Sequence, residues 1–350
     1  MTRRVQDFET LMELENVSVH FPVKGAYPFS RKRWIQAVTD VSLQLSQGET
    51  FGIVGESGCG KTTLANAMVG MVPPTAGTVR FQGADLYSLK RQEFKEARRN
   101  MQMIFQDPFS SLNPRFSVYE IIREPLYIRG GASESEMKAK VLELLKLVGL
   151  DEDDLYRNPS DFSGGQRQRI GIARSIILNP LFLVCDEPVS ALDVSVHAQI
   201  LNLLMEIQKS RNITYAFISH NLAVVKHICQ QILVMYLGVA MESGASAAVF
   251  ANPLHPYTQA LLSAVLDIDV ERSRERILLK GDTPSPIDPP EGCRFWQRCP
   301  SAMKGCETVP PELVTVEPDH KVACHLISGF SSEQVAAGLD QPVPSSSDTG

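Results

Sequence analysis

Residues Gly55–Thr62 read GESGCGKT. The run fits G-x-x-x-x-G-K-[ST] at every fixed position, and its surroundings fit as well. GETFGIVG, from Gly48, is a short apolar strand ending in glycine, and Lys61 to Gly70 reads as a helix. Strand, glycine-rich loop and helix in that order make a phosphate cradle. The glycines let backbone N–H groups turn inward around phosphate oxygens, and the helix N-terminus adds the positive end of its dipole. Lys61 is expected to reach the β- and γ-phosphates, and Thr62 to place its hydroxyl on Mg²⁺. Glu56, Ser57, Gly58, Cys59 and Gly60, with Thr63 just behind, complete the expected nucleotide contact.

Such a loop needs acidic partners. LFLVCDEP, from Leu181, is a buried strand ending in Asp186 and Glu187. Asp186 is placed to hold Mg²⁺, directly or through water. Strand alternation points Glu187 differently, where it can orient or deprotonate an attacking water. Cys185 beside them reads as a small core residue.

Outward from these two stretches the periodicity gives the frame. Apolar and polar residues alternate from Met12 to Leu45 and again in GTVRFQGADL, from Gly77, which is the strand period. ITYAFISH, from Ile213, and the apolar run Ile232 to Met241 each read as a buried strand. Strands alternating with helices predict a doubly wound α/β core with a mostly parallel sheet. The early alternating strands predict a half-exposed antiparallel lobe. Residues 112–180 are largely helical in pattern. Ser133 to Leu150 carries the stripe Met137, Val141, Leu144, Leu145, Val148 and stops at Gly149. After Ala251 the texture changes. PLHPYTQALLSAVL is a short helix behind prolines, GDTPSPIDPPEGC is too proline-rich for regular structure, and the tail from Ser328 is predicted to be disordered.

Of the 350 residues, 43% are hydrophobic, enough for a globular core, and the net charge of −6 argues against a broad nucleic-acid surface. No apolar run reaches the roughly 18 residues of a membrane helix. The N-terminal MTRRVQDFETLMELE lacks the apolar core of a signal peptide. The expectation is a cytoplasmic protein that meets a membrane only through partner subunits.

Four of the seven cysteines, Cys293, Cys299, Cys306 and Cys324, are spaced C-x5-C-x6-C-x17-C, a clustering that marks a separate unit. A reducing cytoplasm disfavours disulfides, and four soft thiolates suit zinc or an iron–sulfur cluster. The close C-x2-C pairs of zinc ribbons are absent, although His320 and His325 are spare ligands that keep zinc open.

FSGGQRQR, residues 162–169, decides among the many ATPases that carry such a loop. With it, residues 12–250 resemble an ATP-binding-cassette (ABC) ATPase, with motifs in the family's order. Gln106 in MIFQDP resembles the Q-loop, and Ser163-Gly164-Gly165-Gln166 the family signature. Asp186 and Glu187 match the Walker B acids, Ser190 to Asp193 the D-loop, and His220 in FISHN the switch histidine. Phe21 falls where the family stacks an aromatic on adenine. Tyr27 or Trp34 is the alternative, because residues 23–35 look like an insertion. The resemblance implies a P-loop NTPase of α/β class. Its parts are a nucleotide-binding domain over 11–255 with an antiparallel β lobe and a helical subdomain at about 112–180, a small Cys-rich extension over 256–327, and the tail 328–350.

It also implies two such domains head to tail, with the phosphate loop of one and the signature of the other enclosing one ATP. Ser163 to Gly165 then form a second helix N-terminus aimed at the γ-phosphate, Gly164 and Gly165 allowing close backbone approach. His220 senses the γ-phosphate, and Gln106 reaches the metal and the attacking water. Arg167 and Arg169 read as solvated or salt-bridging helix residues.

GDTPSPIDPPEGCRFWQRCP, HPYTQALLSAV and FQDPFSSLNPR resemble the ATPases of oligopeptide and dipeptide importers. That implies a peripheral subunit at the cytoplasmic face of the membrane. Its partners are a second, paralogous ATPase, two permease subunits docked near Gln106, and an extracytoplasmic solute-binding protein. It further implies a 4Fe–4S cluster on Cys293, Cys299, Cys306 and Cys324. Relatives in this subfamily also move nickel, sugars and opine-like solutes, so the solute stays open. A soluble cassette acting on DNA or ribosomes fits less well. Only 57 residues separate Gln106 from Ser163, leaving no room for a long coiled coil, and the chain holds one cassette. Glu187 and His220 argue against a non-hydrolysing regulator.

Overall fold

Alternation along buried strands divides the interior between two cores. The computed structural model describes residues 10–23, 32–107, 111–264, 277–331, 334–335 and 339–341. The first part of the chain forms β1 (Thr10–Val23), β2 (Arg33–Ser46), β3 (Thr50–Val54), α1 (Lys61–Met68), β4 (Ala76–Phe81), β5 (Ala84–Asp85), α2 (Arg91–Arg99) and β6 (Met101–Ile104). Three helices follow: α3 (Val118–Arg129), α4 (Glu134–Leu147) and α5 (Gly164–Ile176). The chain then returns to the core through β7 (Phe182–Asp186), α6 (Val194–Arg211), β8 (Thr214–Ser219), α7 (Leu222–Ile228), β9 (Gln231–Tyr236) and β10 (Val239–Ala245). It closes with α8 (Ser246–Ala251), α9 (Pro256–Ser263), β11 (Val314–Glu317), β12 (His320–Val322) and α10 (His325–Ser328).

The strands form a four-stranded sheet, β2-β1-β4-β5, and an eight-stranded sheet, β11-β12-β10-β9-β3-β8-β7-β6. β1 pairs antiparallel with β2 and β4, the lobe expected from the early alternation. β9, β3, β8, β7 and β6 run parallel, as helices between strands require. On β7, Phe182 and Val184 face the core shared with α1 and the antiparallel lobe, while Leu183 and Cys185 face the core shared with the helical segment. β8 divides likewise, Ala216 and Ile218 against Tyr215 and Phe217. Both faces are covered, so these strands read as continuous apolar runs.

The helical stripe behaves as its period dictates. On α4, Met137, Val141, Leu144 and Leu145 are buried, and Ser133 and Glu136 form a reciprocal capping box at its start. Gly149, at φ +71°, carries the chain out of the helix.

Three expectations are corrected. Ile232 to Met241 is not one strand but the β9–β10 hairpin, turned at Leu237 (φ 44°) and Gly238 (φ 83°). Two consecutive positive φ angles make a tight primed turn that hydrophobicity hides. The extension is also not a separate unit. β12 pairs with β10 and carries β11, so the extension lengthens the central sheet by two strands. Cys293, Phe295 and Cys306 belong to the same core as α3 and α4. Nor is the stretch after Ser328 free of structure among its described residues. Lys304 and Gly305 donate backbone bonds to Gln341 and Leu339, and Phe330 stacks on His325.

One buried node joins the extension to the sheet. Glu242 on β10 accepts from the amides of Leu254 and His255, each at 2.9 Å, and lies 2.7 Å from His320 Nε2 on β12. Both side chains are fully buried. Glu242→Leu strands two amides and an imidazole in the core, and should lower unfolding free energy by about 3 kcal/mol or more. Chemical denaturation checks it: Arg33→Ala, which removes an exposed pair with Asp288, should stay near wild type.

Candidate functional site

The phosphate loop leaves β3, which lies between β9 and β8 inside the large sheet. Its path is fixed by neighbours. A Cβ at Gly60, where φ is +103°, would stand 2.1 Å from the Ala37 carbonyl oxygen on β2, so only glycine fits. Gly238 in the β9–β10 turn donates to the Cys59 carbonyl at 2.9 Å, and Thr39 donates to Gly238 at 2.8 Å. Cys59 is buried, and burial pushes its thiol pKa up. Lys61 is 5% exposed, and its ammonium donates to the carbonyls of Gly55 at 2.8 Å and Glu56 at 2.9 Å.

Thr62 and Asp186 meet as the sequence requires. Burial raises the Asp186 pKa, and a bond from the Thr62 hydroxyl opposes the rise. Among the described residues, Asp186 Oδ1 is buried with no hydrogen-bond partner. An orphaned carboxylate oxygen beside a hydroxyl at the mouth of a phosphate loop fits Mg²⁺, which takes one or two protein ligands and fills its shell with water and phosphate.

Glu187 sits at the turn out of β7 with φ 46°, a strained value for a side chain of its size, and its amide donates to the Ile218 carbonyl at 3.0 Å. The turn aims its carboxylate at two other sequence-predicted residues. Gln106 Nε2 donates to Glu187 Oε2 at 3.1 Å, and His220 Nδ1 stands 3.2 Å from the same oxygen. Gln106 and His220, each more than 30 positions from Glu187 in the chain, converge on one of its oxygens. A carboxylate between an amide and an imidazole can accept a proton from water while both neighbours orient it.

The signature starts α5. Ser163 caps it, with Ser163 N–H donating to Gln166 Oε1 at 3.0 Å and Gln166 N–H to Ser163 Oγ at 3.3 Å. The S-x-x-Q spacing is the sequence signature of this reciprocal box. Gly164 and Gly165 also have an intrachain reason. A Cβ on Gly165 would lie 2.6 Å from Val196 Cγ1 on α6, and one on Gly164 3.3 Å from Leu192. Both arginines reach backbone carbonyls. Arg167 donates to the carbonyls of Pro159 and Ser160, and Arg169 to the Val148 carbonyl and Gln199. Asp193 precedes α6, exposed at its N-terminus.

Phe21 and Trp34 are both exposed on the β1–β2 ribbon. Phe21 pairs with Ile35, and Pro22 with Trp34, so the two aromatics face opposite sides. Tyr27 lies outside the described residues. Glu56 departs most from its sequence-based place. Its carboxylate bonds Arg298 at 2.8 Å and Thr283 at 2.7 Å instead of lining the cradle.

The four late cysteines come together in one region. Each of Cys299, Cys306 and Cys324 bears on the charge of the Cys293 thiol, whose pKa burial pushes up to about 12. Burial lifts Cys299 to about 11. Among the described residues, no group of three or more His, Cys, Asp or Glu side chains is arranged to hold a metal ion. His320 and His325, the spare ligands, are engaged elsewhere, with Glu242 and with the Val309 carbonyl.

Comparison with known proteins agrees with this geometry. The ABC transporter family model matches residues 38–190, and the model of the oligopeptide/dipeptide transporter C-terminal region matches 241–306. The oligopeptide transport ATP-binding protein AppF of Bacillus subtilis is 50% identical, covering 91% of this chain and 98% of its own length. OppF of Salmonella typhimurium, with the same description, is 47% identical over 89% of this chain and 95% of its own length. Among solved structures, the dimeric post-hydrolysis state of the ATP-binding cassette MJ0796 bound to ADP and Pi aligns with a TM-score of 0.60 at 28% identity, covering 67% of this chain and 99% of that one. CbiO1 of Clostridium perfringens, part of the transporter complex cbiONQ, aligns with a TM-score of 0.60 at 27% identity over 70% and 92%. Fold, site and sequence identity agree: the chain belongs to the ABC transporter ATP-binding proteins, in the group that carries the oligopeptide/dipeptide C-terminal region.

Proposed function

We propose that this chain binds and hydrolyses ATP to power a peptide-type ABC importer from the cytoplasmic face of the membrane. The convergence of Gln106 and His220 on Glu187 Oε2 carries the reading, because a carboxylate so held is a base for water and not a surface acid. Lys61 and the loop amides take the phosphates, and Thr62 and Asp186 take Mg²⁺, which neutralises charge on the transferred phosphoryl group. Phe21 stacks on adenine. A second ATPase subunit supplies the facing signature, while this chain's Ser163–Gln166 helix start caps the partner's nucleotide. Two permease subunits receive the motion of the helical subdomain, and an extracytoplasmic binding protein delivers the solute. Among the described residues, no helix is long and apolar enough to cross a membrane, so the permeases supply that part. In the assembled transporter, Glu187→Gln should still bind MgATP, with turnover and peptide uptake down about a hundredfold or more. Wild-type turnover in that variant, or co-purification with nucleic acid in place of permeases, would contradict the reading.

Cys293, Cys299, Cys306 and Cys324 are the ligands we assign to a 4Fe–4S cluster, with zinc as the alternative metal. Each sulfur accepts a backbone N–H: Cys293 from Phe295, Cys299 from Ser301, Cys306 from Met303 at 3.5 Å, and Cys324 from Leu326 and Ile327. Such bonds favour thiolates, and a bound cation would overcome the burial that raises the pKa of Cys293, Cys299 and Cys324. Protein purified without oxygen should carry about four irons per chain and a broad visible charge-transfer band, lost in Cys299→Ser. Iron-free, colourless protein would remove the assignment, and stoichiometric zinc would replace it.

A further inference from the structure

We propose that the C-terminal extension holds the phosphate loop through Glu56, making Arg298 a positioning residue for ATP binding. The inference rests on reading the loop as an ATP site. The backbone N–H, the carbonyl and one carboxylate oxygen of Glu56 are all committed. Its N–H donates to the Tyr257 hydroxyl at 2.9 Å. Its carbonyl accepts from Lys61 Nζ at 2.9 Å. Its carboxylate Oε2 accepts from Thr283 Oγ1 at 2.7 Å and from Arg298 Nη1 at 2.8 Å. Tyr257, Thr283 and Arg298 all come from residues after the cassette proper, so the loop's second residue is gripped from the extension.

The grip has a rigid base. Tyr236, Tyr257 and Phe295 are fully buried and meet edge to face or tilted, with ring centroids 4.8 to 5.3 Å apart. The Arg298 guanidinium lies 5.8 Å from the Tyr236 ring centroid, and Nη1 is 3.3 Å from the Tyr236 hydroxyl. Arg298 ends the single 3-10 turn Trp296–Arg298, directly before Cys299, while Phe295 lies two residues after Cys293. The cysteine region and the phosphate loop are therefore joined by one short chain of contacts.

Charge explains why the grip matters. A carboxylate one residue into a phosphate loop adds negative charge close to the place of a polyanion even when it points away from the cradle, and uncompensated it weakens polyanion binding. Arg298 cancels that charge where water screens poorly: its side chain is 10% exposed and that of Glu56 26%. Removing Arg298 exposes the triphosphate to a bare Glu56. Removing both leaves nothing to cancel.

The test measures MgATP binding to the purified full chain by titration calorimetry. Arg298→Gln should weaken binding roughly tenfold, and Arg298→Lys should keep most of it. The double variant Glu56→Gln/Arg298→Gln should recover to within about threefold of wild type. A purely structural arginine would not be rescued by a change at Glu56. Wild-type affinity in Arg298→Gln, or a double variant as weak as the single, overturns the inference. Failure of the wild-type chain to bind MgATP would instead defeat the assignment of the loop.

Discussion

The site depends on a buried ammonium whose hydrogen bonds go to uncharged groups. Lys61 donates to the carbonyls of Gly55 and Glu56, and Asp186 balances its charge only at longer range. A cation held this way is poorly compensated, so an anion that reaches it gains far more than it would in water. The surrounding fold keeps that arrangement in place. The Ala37 carbonyl closes the loop from β2, the β9–β10 turn bonds Cys59, and the extension takes both ends of Glu56. A triphosphate entering the loop can displace the two carbonyls without rebuilding the frame.

A second constraint sets the chemistry. Glu187 occupies a left-handed conformation at the end of β7, and that bend turns its carboxylate away from Asp186 toward Gln106 and His220. On the proposed function, the adjacent acids thus separate into a metal ligand, Asp186, and a base, Glu187. Gln106 follows β6 and precedes the helical segment, and one hydrogen bond joins it to Glu187.

The local chemistry was legible because it resides in contiguous motifs. GESGCGKT, the acids after LFLVC and the stripe of α4 each specify their own neighbourhood, and the structure places them accordingly. What escaped depends on partners distant in sequence. Nothing in TVEPDHKVAC announces that His320 will pair with Glu242 and carry β12 onto β10, because the buried pair spans 78 positions. Glu56 looked like a nucleotide contact because loop position was the only clue, and its partner Arg298 lies 242 residues away. The I′-type turn at Leu237–Gly238 was hidden by a leucine where an asparagine would have signalled it. The arginines of FSGGQRQR looked like a charged face, yet they serve backbone carbonyls at neighbouring turns.

On the proposed function, this chain contributes two halves of different ATP sites, a phosphate loop for its own nucleotide and a signature for its partner's. Ser163→Arg, with MgATP affinity measured on the isolated chain and turnover on the assembled transporter, tests it most directly. The expected result is wild-type affinity in the isolated chain, which also shows that the variant folds, and loss of turnover in the complex. Loss of binding by the isolated chain, or normal turnover in the complex, would contradict it.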